Sequence, residues 1–266
     1  MRKPTFLHQN RPLITGMILK STADEVRFAI KNALADGADA LGIQLECMPP
    51  EMHTEENFEK IFSAAAGHPI YVTNYRGGQN ASLKDEALTE KLLLALSCGA
   101  TLGDVPGSAF DYDCGMGIGY ELSMKPDAIE KQMALIERIH AMGKEALMSS
   151  HVTRFTPAEK VLEIALEQQR RGADIVKIVT AANSEEEELA NLSTTALLKK
   201  ELSVPFLFLS GGTHSKMHRM IGAQFGCVMY LAVHEHSATS VPTQPTIRAA
   251  KAVRDNFDYL PDVIHS

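Results

Sequence analysis

Four times along this chain a glycine closes one stretch and opens a short apolar run: Asp36-Gly37-Ala38-Asp39-Ala40-Leu41, Cys98-Gly99-Ala100-Thr101-Leu102, Arg171-Gly172-Ala173-Asp174-Ile175-Val176 and Phe225-Gly226-Cys227-Val228-Met229. Glycine just past a helix end takes the left-handed conformation without a Cβ penalty. The runs that follow have the length of strands buried on both faces, too short for buried helices. Further runs of this kind lie at Pro12 to Met17, at Pro69 to Asn74 after Gly67, at Glu145 to Ser150 after Gly143, and at Pro205 to Ser210, which brings the count to eight. Helical stretches fill the gaps, among them Thr22 to Ala35, Leu83 to Ser97, Pro126 to Met142, Pro157 to Arg171 and Ser184 to Leu202. Two carry start signals: Thr156 as a cap before a first-turn Pro157, and Ser184 before four glutamates that suit the positive end of a helix dipole. Eight strand-helix units in about 250 residues are what a (β/α)8 barrel requires. The fold expected is α/β, a single TIM barrel over residues 1–266 with short polar N- and C-terminal extensions.

Charge and composition then remove whole classes of partner. With 33 acidic against 26 basic residues, a net charge of −7 and both signs interspersed, no basic footprint marks a nucleic-acid or anionic-membrane surface. No run approaches the 18 apolar residues of a spanning helix. Cys47, Cys98, Cys114 and Cys227 are far apart and form no CxxC, which fits a reducing, cytoplasmic setting and suggests no zinc knuckle. None is placed as a nucleophile. The methionines, Met116, Met124, Met133, Met142 and Met148 included, read as core filler, and the glycine-rich segment Cys114 to Gly119 reads as a flexible βα loop that could serve as a lid.

In such barrels the chemistry sits at the C-terminal strand ends. The polar residues expected there are Thr15, Gln44, Glu46, Asn74, Arg76, Asp104, Ser149, His151, Lys177, Ser210 and the group His234, Glu235 and His236. Lys177 stands inside Ile175-Val176-Lys177-Ile178-Val179, where the period of two turns it towards the barrel axis. Burial disfavours an ammonium and favours the neutral amine that attacks carbonyl carbon. The competing reading is an ion pair with Glu46 or Asp104. His151 ends the preceding strand, close enough to shuttle protons for an imine on Lys177.

Met148-Ser149-Ser150-His151, Phe155-Thr156-Pro157, Gly172-Ala173-Asp174-Ile175-Val176-Lys177-Ile178-Val179, Arg219 and Ser240-Val241-Pro242-Thr243-Gln244 together resemble type I 3-dehydroquinate dehydratase. The resemblance follows element order over about residues 12 to 255 and is most specific in the C-terminal half. It implies a cofactor-free lyase of the shikimate pathway and aromatic amino acid biosynthesis. Such an enzyme forms an imine between lysine and the 3-oxo group and eliminates the 1-hydroxyl to give 3-dehydroshikimate. Carried onto this sequence, it implies Lys177 as imine former and His151 as general acid/base. Arg219, Ser240 and Gln244 fall at the substrate carboxylate, Arg76 faces the substrate, and Thr15 stands where the family has a substrate-contacting serine. It also implies a small carboxylate ligand and a homodimer.

The N-terminal half departs from that pattern. The family's Glu-x-Arg-x-Asp at the end of strand two is Gly42-Ile43-Gln44-Leu45-Glu46 here, so Gln44 replaces an arginine and Gly42 the glutamate that grips substrate hydroxyls. The family's Asp-x-Glu at the end of strand four is Asp104-Val105-Pro106, which lacks the glutamate that partners the catalytic histidine. Asp104, Asp111, Asp113 or Glu121 would have to fold in to replace it. The expectation is therefore a Schiff-base dehydratase for 3-dehydroquinate or a related 3-oxo carboxylate. Three rivals remain at this point: a class I aldolase for a phosphorylated sugar, from Ser210-Gly211-Gly212-Thr213; a metal-dependent isomerase or hydrolase, from His214 with His218 and His234-Glu235-His236; and a non-catalytic binding barrel.

Overall fold

In the computed structural model, which describes residues 4–7, 9–238 and 240–257, the eight expected runs are strands and each is followed by a helix. They are β1 (Leu13–Ile18), α1 (Ala23–Ala35), β2 (Ala40–Gln44), α2 (Glu55–Ser63), β3 (Ile70–Thr73), α3 (Asp85–Ser97), β4 (Leu102–Pro106) and α4 (Pro126–Ala141). The second half continues with β5 (Glu145–His151), α5 (Ala158–Arg170), β6 (Ile175–Ala181), α6 (Glu185–Glu201), β7 (Phe206–Gly211), α7 (Lys216–Ile221), β8 (Met229–Ala232) and α8 (Ile247–Asn256). The C-terminal extension from residue 258 lies outside the described residues.

All paired strands run parallel, in the order β7-β6-β5-β4-β3-β2-β1-β8. Val228 N donates to Phe206 O at 2.8 Å, bridging the two ends of that order and leaving a nearly closed (β/α)8 barrel. The repeated glycines do what their position requires, with φ of +95° at Gly37, +129° at Gly99, +95° at Gly172 and +134° at Gly226. The aspartate two residues on in two of the repeats has a task of its own. Asp39 Oδ2 accepts from Ile14 N at 2.9 Å and Asp174 Oδ2 from Ala146 N at 2.8 Å, so each pins the start of the strand before it.

Apolar side chains of both sheet faces, such as Ile14, Leu41, Val72, Val105, Leu147 and Ile175, are fully or almost fully buried. They form one continuous core that includes the helices' inner faces. Thr22 closes a capping box with Glu25, and Ser184 accepts from Glu187 N ahead of four first-turn glutamates. Thr156 differs from expectation: Pro157 occupies the cap position of α5, and the Thr156 hydroxyl instead donates to Arg154 O at 3.3 Å. The methionines differ too. Met148 is core, but Met116 and Met124 are 58% and 66% exposed, because both lie on the long β4-α4 connection rather than on a packed helix face.

Candidate active site

Strand register sets the site. The β5-β6 ladder places Ser149 opposite Lys177 and His151 opposite Val179, so alternate residues of both strands share the inner face. Lys177 is buried there, as its place in an apolar strand predicts. Its Nζ donates to Tyr75 OH at 2.8 Å, Tyr71 OH at 3.0 Å and Asp104 Oδ2 at 3.3 Å. Both phenols donate in turn to Asp104 Oδ2, Tyr75 at 2.5 Å, while Ser149 Oγ donates to Oδ1 at 2.5 Å. Lysine, carboxylate, two phenols and a serine thus form one closed network inside the barrel. Burial, followed by the Asp104 charge, pushes both tyrosine hydroxyls well above their ordinary range and keeps them protonated. The ion pair with Asp104 therefore exists and coexists with the inward lysine; Glu46 instead accepts from Thr73 Oγ1, at 2.9 and 3.0 Å, and from Tyr75 N at 3.4 Å. Burial raises the Glu46 carboxyl above its usual value.

Lys177 and His151 open on one cavity of about 540 Å³ at the C-terminal ends of the strands, with Gln44, Glu46, Tyr75, Arg219 and Gln244 in its wall. His151 Nδ1 lies 2.7 Å from Glu121 Oε2, and the same oxygen accepts from the His151 backbone N–H. Glu121 belongs to the β4-α4 loop, so of the four acidic residues that could have served the histidine it is this one that folds in.

Arg219, on α7, is 7% exposed and has no acidic partner among the described residues; Nε donates to Ser210 O at 2.5 Å. Burial pulls its guanidinium down from the ordinary arginine range to about 10. An inward arginine whose charge no carboxylate among the described residues offsets is a seat for an anion. Gln244 lines the same cavity.

Other sequence expectations fare differently. Arg76 lines the cavity, but its guanidinium is taken: Nε and Nη2 hold the Asp85 carboxylate, Nη2 also Ser108 O, and Nη1 the carbonyls of Asp111 and Cys114. All five N–H groups of an arginine are accounted for, so Arg76 fastens the β4-α4 loop where the sequence had it facing the substrate. Ser240 lies in a separate crevice with Phe28 and His234 and hydrogen-bonds Ser237. Thr15 is buried in the barrel floor, its hydroxyl 3.4 Å from the Met229 sulfur. Position 42 has little room for a side chain, since a Cβ there would stand 2.3 Å from the Met17 sulfur. Tyr71 and Tyr75 escaped sequence reading; the period of two along Ile70–Thr73 could have placed Tyr71 inward.

The rival constellations come apart. His218 is fully buried with Nδ1 2.8 Å from Ser210 Oγ and Nε2 2.8 Å from Thr195 Oγ1, so both ring nitrogens are occupied by hydroxyls, while His214 is exposed. His234 Nδ1 binds Asp36 at 2.5 Å. Among the described residues no three His, Cys, Asp or Glu gather as a metal site. In the Gly211-Gly212 turn the following N–H groups are committed inward, Thr213 to Asn183 Oδ1 at 3.4 Å and His214 to Ala182 O at 2.9 Å, which leaves a poor cradle for phosphate.

Comparison with known proteins adds independent findings. The family model for type I 3-dehydroquinase matches residues 17–258. The 3-dehydroquinate dehydratase of Alkaliphilus oremlandii is 30% identical over 135 residues, 50% of this chain and 51% of that protein. The Aromatoleum aromaticum enzyme of the same name is 25% identical over 207 residues, 73% of this chain and 69% of that one. The chain thus spans about half the length of the first of these relatives and about two thirds of the second. The crystal structure of 3-dehydroquinate dehydratase from Geobacillus kaustophilus superposes with a TM-score of 0.79 at 19% identity, covering 95% of this chain and 93% of that one.

Proposed function

This chain belongs to the type I 3-dehydroquinase family, and from that premise we propose that it removes water from 3-dehydroquinate through an imine on Lys177. The observation that carries the reading is the single cavity in which a buried lysine, a carboxylate-bound histidine and an arginine without an acidic partner face one another. Arg219, with Gln244, holds the substrate carboxylate. The charge that desolvation leaves exposed on the guanidinium is met by the ligand. Held there, the 3-oxo carbon is presented to Lys177.

Lys177, once it has given up its proton, adds through Nζ to that carbon, and the carbinolamine loses water to give the iminium. The iminium acidifies the neighbouring C–H, and His151 takes that proton through the ring nitrogen not engaged by Glu121. The enamine then expels the 1-hydroxyl, which His151 protonates as it leaves, so one imidazole serves as base and acid in turn. Hydrolysis of the remaining imine returns the amine and 3-dehydroshikimate. No step calls for a metal or an organic cofactor. The network of Tyr71, Tyr75, Asp104 and Ser149 fixes Nζ for attack.

Borohydride treatment in the presence of 3-dehydroquinate, read by intact mass and by the ultraviolet absorbance of the enone, tests this directly. A trapped adduct on Lys177 with product formed supports it, and Lys177→Met should abolish both. Absence of any adduct in the wild type would remove it. A homodimer and a cytoplasmic setting complete the proposal; sedimentation equilibrium and cell fractionation test them.

A further inference from the structure

We infer that Glu121 is the positioning residue for His151, delivered by the β4-α4 loop to a place that the barrel strand itself leaves without a carboxylate. The inference rests on the imine reading for its catalytic meaning, and on geometry alone for the arrangement. At the end of β4 stands Pro106, which carries no acceptor side chain, and Gly107 follows it. Fifteen positions after Pro106 the chain returns, and Glu121 Oε2 reaches both the backbone N–H and Nδ1 of His151, the latter at 2.7 Å. The two side chains are only 7% and 15% exposed, so the contact is shielded from water.

The backbone is built to put it there. Glu121 has φ +47°, a left-handed conformation that is strained for a residue with a Cβ. It is held by contacts on two sides. Ser150 Oγ donates to Glu121 O at 3.1 Å. On the other side Gly107 packs so closely that a Cβ there would stand 2.5 Å from Glu121 O. Ser123 N closes back on Gly107 O at 2.8 Å, and Ser108 Oγ donates to Glu121 Oε1 at 3.4 Å. Strain of this kind persists where the surroundings over-determine it and where it serves the site.

The consequence is chemical. A carboxylate that accepts at Nδ1 fixes the Nδ1–H tautomer and leaves Nε2 as the basic nitrogen. It also stabilises the imidazolium once His151 has taken a proton. Met116, on the same loop, lines the cavity. Seating the loop therefore roofs the cavity and sets the histidine in one event.

Long-range nitrogen-proton NMR of the His151 ring tests this without substrate. In wild type the neutral ring should be the Nδ1–H tautomer. Glu121→Ala should release it to the mixture typical of a free imidazole. Gly107→Ala, which keeps the glutamate but removes its seat, should do the same. With substrate, Glu121→Gln should lower kcat by about 10²-fold, the scale of a general acid/base contribution, with KM within about threefold. An unchanged tautomer in Glu121→Ala, or kcat within about twofold of wild type in Glu121→Gln, would overturn the inference. If wild type fails to turn over 3-dehydroquinate, the tautomer measurement still decides the role of Glu121, and only the substrate reading falls.

Discussion

The Tyr75 hydroxyl stands between Lys177 and Asp104, 2.8 Å from the amine nitrogen and 2.5 Å from the carboxylate oxygen, whereas the amine and the carboxylate themselves are 3.3 Å apart. The buried charges meet chiefly through a neutral group. That arrangement divides the desolvation cost of the pair over several hydrogen bonds and leaves the lysine less tightly bound than a direct ion pair would. Tyr75→Phe should therefore loosen Nζ. We expect kcat to fall by about tenfold with KM little changed, and stability to fall by about 1–3 kcal/mol as Asp104 loses a donor. Rates of borohydride trapping and urea unfolding read the two effects separately.

Arg219→Ala should raise KM for a carboxylate substrate by about 30- to 150-fold, the equivalent of about 2–3 kcal/mol for a charge-assisted hydrogen bond. Arg219→Lys keeps the charge but not the fork, and should recover only part of the loss. Steady-state kinetics with 3-dehydroquinate decide it, and an unchanged KM in Arg219→Ala would remove the carboxylate seat.

Arg76→Ala should behave differently although both arginines line the cavity. Its guanidinium binds Asp85 and three carbonyls of the β4-α4 loop, and its Cζ lies 4.4 Å from the Tyr112 ring centroid. Losing it leaves Asp85, 4% exposed, with a buried charge. A drop of about 2–4 kcal/mol in unfolding free energy is expected, somewhat below a fully buried pair because the arginine itself is part exposed. Limited proteolysis should cut between residues 107 and 125, with KM affected less than in Arg219→Ala.

His218 makes stability depend on pH. Burial, helped by neighbouring Arg219, lowers its imidazole from 6.5 to about 3. Between those values the unfolded chain binds a proton that the folded chain refuses. The stabilising contribution of the neutral ring is thus present above about pH 6.5 and is lost as pH falls towards about 3, at up to about 1.4 kcal/mol per pH unit. Urea titrations at pH 5 and pH 7 should show this loss in wild type and a smaller one in His218→Asn. Equal losses in both would assign the acid sensitivity to other groups.

Strands, helix stops and the inward lysine were legible because each depends on local periodicity: Gly37, Gly99, Gly172 and Gly226 take the positive φ that their repeats require. The Lys177 environment was only half legible, since Asp104 could be named as a partner but the two phenols come from β3 and the turn just after it, with β3 three strands away in the sheet order. Glu121 could be given only as one of four candidates, because a nineteen-residue connection has no period from which its return can be read. Arg76 was legible in position, at the end of β3 and in the cavity wall, but its guanidinium is engaged by Asp85 and by loop carbonyls that no local pattern reveals. Ser240 and Thr15 were carried by position alone, and the barrel puts one beside the cavity and the other beneath it.

The seam between β7 and β8, bridged by Val228 and Phe206, has a consequence for how the molecule breathes. The residues proposed to grip the carboxylate stand on opposite sides of it, Arg219 following β7 and Gln244 following β8. A ligand held by both acts as a clasp across the weakest rung of the barrel. Amide exchange at the two edge strands should slow when the cavity is filled, so that occupancy is felt as mechanical closure of the sheet as well as chemistry at its mouth.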